Sequence, residues 1–162
     1  MTRTTMQFCV FLPKEATDAA KVPAIYYLAG LTCNEELMQI KGGAQRMAAK
    51  RGVALITPDT SPRGISIEGD SDNWDFGTGA GFYVDAKEPK WAENYNMYSY
   101  VTKELPGSHK QLLPEAFEAA CQKVGQPLTL RMQDGYDHGY YFVSSFMEDH
   151  INHHADVLLT TV

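Results

Sequence analysis

No run of apolar residues in this sequence approaches the roughly 18 needed to cross a bilayer, and the N-terminal stretch "MTRTTMQFCVFLP" is too short in its apolar part for a secretory signal. Clustered Lys and Arg are also missing. With 14 basic against 20 acidic residues the net charge is −6, which argues against a nucleic-acid partner because phosphate binding needs a basic patch. Cysteine is scarce: Cys9, Cys33 and Cys121 form no CxxC pair, and an odd, scattered count is unlike a disulfide framework. A reducing, cytoplasmic setting is the expectation. There is no internal repeat, low-complexity tract or linker, so the 162 residues, 44% apolar and 21% charged, read as a single globular domain.

What is present alternates strand and helix. "MQFCVFLP" is β-rich and closed by Pro13, and "VPAIYYLAG" is continuously apolar up to Gly30, as expected of a strand buried on both faces. "GGAQRMAAKRG" has the composition of a helix that stops at Gly52, with Lys50 and Arg51 in its last turn. "VALITPDT" follows at once as another buried strand. Strand, helix, strand at this spacing is a βαβ unit, and the predicted class is α/β with a mostly parallel sheet.

Residues 61–90 are rich in Gly, Asp and Pro and form a long excursion, which in a compact domain is usually functional. Helices are predicted over "NMYSYVTKELP", "LLPEAFEAACQKVG" and "YYFVSSFMEDHINHHADVLL", and a strand over "PLTLRMQ".

His138, in "GYDHGYYF", lies where a predicted strand gives way to a helix, the end of an α/β sheet at which ligands bind. It reads either as a general base suited to neutral pH or as a histidine that caps the loop. "LAGLTCNEE" ends a strand in a glycine turn that could aim backbone N–H groups at an oxyanion, or be a plain turn. Cys33 reads as a reactive thiol beside that turn or as a small buried residue. In "WDFGTGAGFY" the alternate Gly77, Gly79 and Gly81 lack dinucleotide-fingerprint spacing and suit a tightly folded rim loop. His150, His153 and His154 share helical spacing without the Glu of a zinc motif, so a solvated face is the expectation and no metal or other cofactor is assigned.

Taken together, "YYLAGLTCNE", "TPDTSPRG", "WDFGTGAGFYVDA", "YNMYSYVTKELP", "LLPEAFEAAC" and "GYDHGYYF…F…DHINHHA" closely resemble the S-formylglutathione hydrolase (esterase D) family of α/β-hydrolases, in the family's order and over nearly the whole chain. The resemblance implies a three-layer α/β-hydrolase-like sandwich and a serine hydrolase that converts S-formylglutathione to glutathione and formate, a step in formaldehyde detoxification, and cleaves simple esters. It further implies small-molecule substrates, no membrane association and possible homodimers. On these matches His138 corresponds to the catalytic histidine, Gly30 and Leu31 to the oxyanion loop, and Cys33 to a thiol near the active site. Gly139 departs from the serine that commonly follows the histidine.

The resemblance also exposes a gap. The family's nucleophile lies in G-H-S-M-G-G, yet no G-x-S-x-G occurs in the 162 residues. Pro106 runs through "GSHK" into "QLLPEAF", which the family places beyond both the nucleophile and the triad aspartate. The serine, the aspartate and the central strands of the sheet therefore fall in a block missing between about residues 106 and 110, and a segment before Met6 is missing as well. A reduced sheet with open edges is the structural expectation. Ser108 follows a helix and Pro106 rather than a strand, which does not suit a nucleophile elbow. Ser61, Ser66 and Ser71 carry no mark of activation, and Asp134 and Asp137 are too local to be assumed partners of His138.

Overall fold

The computed structural model of the chain describes residues 2–104, 122–123, 125–128, 131, 133–136 and 139–160. Its sheet has three strands in the order β1-β3-β2, with β1 at Phe8–Phe11, β2 at Ala24–Tyr26 and β3 at Ala54–Pro58. β1 runs antiparallel to β3, with Val10 opposite Ile56; β2 runs parallel to β3, with Ile25 opposite Leu55. A parallel pair needs a crossover. It is supplied by a wide helical turn at Met38–Gly42 and by helix α1, Gln45–Arg51. Gly52 ends α1 as the sequence predicts: at φ 67° it adopts the left-handed conformation that glycine tolerates best, and its N–H reaches back to the Ala48 and Ala49 carbonyls.

Side chains alternate across β2, so the sheet has two working faces. Ile25 and Tyr27 pack against a core of Leu55, Met47, Ala48, Met147, Ile151 and Ala155. The last three belong to the long helix that closes the described chain (Tyr140–Thr160), where spacing by four residues puts them on one stripe. Arg51 ties α1 to that helix through Asp156 and through Asn152 (2.9 Å). On the opposite face Tyr26 and Leu28 pack against Met97, Tyr100 and Val101. Helices therefore cover both sides of the sheet, the three-layer arrangement of an α/β-hydrolase.

Residues 61–96 hold only one short helix, α2 (Pro89–Ala92), as the lack of periodicity implies. After it come α3, at Met97–Ser99, and a wider turn at Tyr100–Glu104, in place of the single helix predicted there. The helix Tyr140–Thr160 is thus α4. Asp85 anchors the excursion to α3: its carboxylate accepts the Ser99 N–H (2.9 Å) and hydroxyl (2.7 Å).

Two strand expectations are corrected. β2 is half-buried rather than buried on both faces, because among the described residues no strand pairs with its outer edge. In "PLTLRMQ" the described residues Pro127, Leu128, Arg131 and Gln133 are not in a strand. The remaining positions of that stretch, and all but Gln122, Lys123 and Gly125 of the predicted helix 112–125, lie outside the described residues.

Leu55 is fully buried at the centre of the larger core. Leu55→Ala is expected to lower unfolding free energy by about 2–5 kcal/mol, read from urea denaturation. Burial pushes the Asp85 carboxyl up, but the Ser99 hydrogen bonds and the Lys103 and Lys87 charges outweigh it and hold the group below its ordinary value. A depressed folded pKa stabilises above the unfolded value and loses that effect as pH falls through the folded one. Wild type should therefore exceed Asp85→Asn in urea midpoint at pH 7, with the difference shrinking below about pH 4.

Candidate active site

β2 and β3 are parallel, so their C-terminal ends lie at the same edge of the sheet, where α/β folds bind ligands. β2 leads through Leu28 and the buried Ala29 into the turn at Gly30, Leu31, Thr32 and Cys33. The Cys33 N–H closes this turn on the Gly30 carbonyl (3.2 Å), and the Thr32 N–H donates to the Gly79 carbonyl (2.8 Å). Thr32 sits at φ 63°, an uncommon conformation for a residue other than glycine. The N–H groups of Gly30 and Leu31 have no hydrogen-bond partner among the described residues. Two adjacent free amides at the tip of a braced turn can stabilise a developing oxyanion.

The glycine-rich segment supplies the brace. Gly77, Gly79 and Gly81 all have φ between 72° and 78°. A Cβ at Gly77 would lie 2.2 Å from the Asp70 carbonyl oxygen, and one at Gly81 would lie 3.0 Å from the Gly30 carbonyl carbon, so the loop folds tightly on itself at Gly77 and against the turn at Gly81. Tyr83 donates to the Ala29 carbonyl (2.7 Å); burial, with Asp59 adding to it, pushes its hydroxyl well up, so it remains a donor.

β3 contributes what lies beneath. Asp59, 2% exposed, accepts both the Arg63 Nε and Nη2 (2.9 Å each) and the Thr60 N–H (2.7 Å). The Asp59 hydrogen bonds hold the Arg63 guanidinium above its ordinary range, against the opposing effect of burial. Arg63 Nη2 (3.2 Å) and the Thr60 hydroxyl (2.5 Å) also donate to the Cys33 carbonyl. The turn is thus held from both sides by charge-assisted and neutral hydrogen bonds.

Cys33 lies with its Sγ 3.5 Å from the Tyr140 hydroxyl, at the first turn of α4. Burial, then the Cys33 hydrogen bond, pushes the Tyr140 hydroxyl well above its ordinary value. Gly30, Leu31 and Cys33 therefore come together in one turn. His138 and Asp137 lie outside the described residues, as does Ser108. The Ser61 hydroxyl is buried in a structural role, accepting the Gly79 N–H (2.8 Å) and donating to the Pro62 carbonyl (3.2 Å). Ser71 donates to Asp70. Among the described residues no group of three or more His, Cys, Asp or Glu could hold a metal ion, and no helix is long and apolar enough to cross a membrane. Asp59, Arg63, Thr60 and Tyr140 went unread as site residues in the sequence; the only signal was an Asp and an Arg four apart after a buried strand.

Among the described residues, Arg63→Ala would leave the buried Asp59 carboxylate with the Thr60 N–H alone and strip one donor from the Cys33 carbonyl. Since Arg63 is 39% exposed, the expected loss is about 2–3 kcal/mol in urea denaturation rather than the full effect of breaking a buried pair. Arg63→Lys should restore only part of it, because an ammonium cannot reproduce the forked pairing.

Residues 1–108 match the Esterase family model. The S-formylglutathione hydrolase of Arabidopsis thaliana is 34% identical, over 95% of this chain and 89% of the relative, and that of Rattus norvegicus is 33% identical, over 94% and 89%. The Arabidopsis alignment runs over 253 positions; 162 residues cannot fill them, so at least 91 face a gap in this chain. A solved structure of an S-formylglutathione hydrolase from Agrobacterium tumefaciens superimposes with a TM-score of 0.87 at 29% identity, over 97% of this chain and 91% of that one. With the fold and the family model in agreement, the chain belongs to the S-formylglutathione hydrolase family of α/β-hydrolases.

Proposed function

We propose that this chain is a single α/β-hydrolase-like domain from a lineage of cytoplasmic thioester hydrolases acting on S-formylglutathione, and that it has lost turnover together with the block that carried the nucleophile and the triad aspartate. The observation that carries this reading is the shortfall of at least 91 positions against the Arabidopsis relative, in a chain without any G-x-S-x-G. The family-model match also stops at residue 108, inside the stretch where the sequence locates the missing block.

The chemistry explains the consequence. In a Ser-His-Asp hydrolase the serine attacks the acyl carbon, the histidine accepts its proton, the aspartate orients the histidine, and backbone amides receive the oxyanion. Of these parts the chain retains His138 as the candidate base and the Leu31 amide as the candidate oxyanion donor. Neither forms the acyl-enzyme bond. What such a remnant supplies is binding and oxyanion stabilisation, which in triad knock-outs of serine proteases leaves only about 10³–10⁴-fold over water.

A second reading, a non-catalytic binder of glutathionyl compounds, is supported by the braced condition of the Gly30–Cys33 turn. Thr60, Arg63, Gly79 and Tyr140 all still hold it.

A fluorophosphonate probe is expected to leave the chain unlabelled, and hydrolysis of S-formylglutathione and p-nitrophenyl acetate is expected to stay at background. Labelling that disappears in Ser108→Ala, or turnover that disappears in His138→Ala, would overturn the inactive reading.

A further inference from the structure

Beside the Gly30–Cys33 turn opens a polar cavity of about 420 Å³, within the range of small-ligand sites. Its wall includes Gln7, Thr32, Asn34, Glu35, Asp59 and Arg63. It spans the C-terminal ends of the parallel β2 and β3, and Thr32 in its wall directly follows Leu31. The cavity is therefore contiguous with the turn proposed to receive the acyl group.

Its charges do not cancel. Asp59 and Arg63 neutralise one another through their forked pair. Glu35 is left over: it is only 8% exposed, and its Oε2 is buried without a hydrogen-bond partner among the described residues. A buried carboxylate oxygen with no donor is costly, and native structures rarely leave one unless a water, an ion or a ligand supplies the donor. Glu35 charge acts on both flanks, raising Arg63 and adding to the burial that pushes the Cys9 thiol up.

The other groups of the wall can donate. Arg63 Nη1 makes no hydrogen bond among the described residues, its Nε and Nη2 being engaged by Asp59 and the Cys33 carbonyl. Asn34 has its Oδ1 occupied by the Glu36 N–H, so its amide nitrogen remains a donor. One unpartnered anionic acceptor beside a guanidinium and an amide donor is complementary to a group that carries an ammonium and a carboxylate on one carbon. Metal is a poorer match, since a single free carboxylate falls short of a ligand set.

We infer that this cavity receives the amino-acid end of a glutathionyl ligand, with Glu35 accepting from the α-ammonium of the γ-glutamyl residue and Arg63 and Asn34 facing its α-carboxylate. The inference rests on the reading that the chain binds glutathionyl compounds, and assigns the contacts that distinguish such a ligand from a simple ester. In an extended glutathionyl chain the sulfur and the γ-glutamyl amine lie roughly 7–10 Å apart, about two residue lengths. An acyl sulfur at the Leu31 turn would thus reach an adjoining cavity.

The test compares two unreactive ligands by isothermal titration: S-methylglutathione, and the analogue in which a glutaryl group replaces γ-glutamyl, so that only the amine is gone. Wild type is expected to bind S-methylglutathione about tenfold more tightly, as for a charge-assisted hydrogen bond. Glu35→Gln should abolish that preference. Equal binding of the two ligands by wild type would overturn this inference while leaving the glutathionyl-binding reading intact; binding of neither would overturn both. The comparison on wild type decides the matter even if Glu35→Gln does not fold.

Discussion

The parallel pairing of β2 with β3 is the constraint from which the rest follows. Opposing Ile25 to Leu55 sends both chains out of the sheet at the same edge, so that the Gly30–Cys33 turn arrives over Asp59, Thr60 and Arg63. A slip of one residue would put Tyr26 and Leu28 into the core now filled by Ile25 and Tyr27, and would carry the turn away from its donors. The hydrophobic alternation of a three-residue strand and the polar network beyond it thus specify the same register, and each reinforces the other.

That network is also independent of a nucleophile. The Asp59–Arg63 pair, the Thr60 hydroxyl and the glycine-rich loop keep the turn in shape without touching any nucleophile. Removing a nucleophile and its aspartate takes away bond making, whereas the turn is supported by local hydrogen bonds and by close backbone approach at Gly81. The match to the Agrobacterium tumefaciens enzyme at a TM-score of 0.87 is what a retained frame would give.

Local signals were the legible ones. The α1 stop at Gly52, the buried run of β3 and the length of α4 were readable because each depends on residues within a few positions of one another. The half-buried state of β2 was not readable, because "VPAIYYLAG" records a strand suited to two neighbours while only β3 pairs with it among the described residues. Likewise, Gly30, Leu31 and Cys33 could be picked out from one glycine turn, but Arg63 and Tyr140 reach that turn across 30 and 107 residues of sequence. Contacts of that separation leave no period or spacing to read. His138 is known here only through its motif.

The long helix α4 is attached along a single seam. At about 1.5 Å per residue its 21 residues extend roughly 30 Å, yet only Met147, Ile151 and Ala155 are buried, all in its central and C-terminal parts. The first turn, which carries Tyr140 to Cys33, is held by the half-buried Val143 against the main core, whereas the last turn exposes Val157 and Leu159 and has the least apolar anchoring. Local opening follows local contact, so amide hydrogens at residues 157–160 should exchange faster than those at 147–155. Fraying is then confined to the terminus remote from Cys33 and leaves the Tyr140 contact, the sheet and the main core undisturbed.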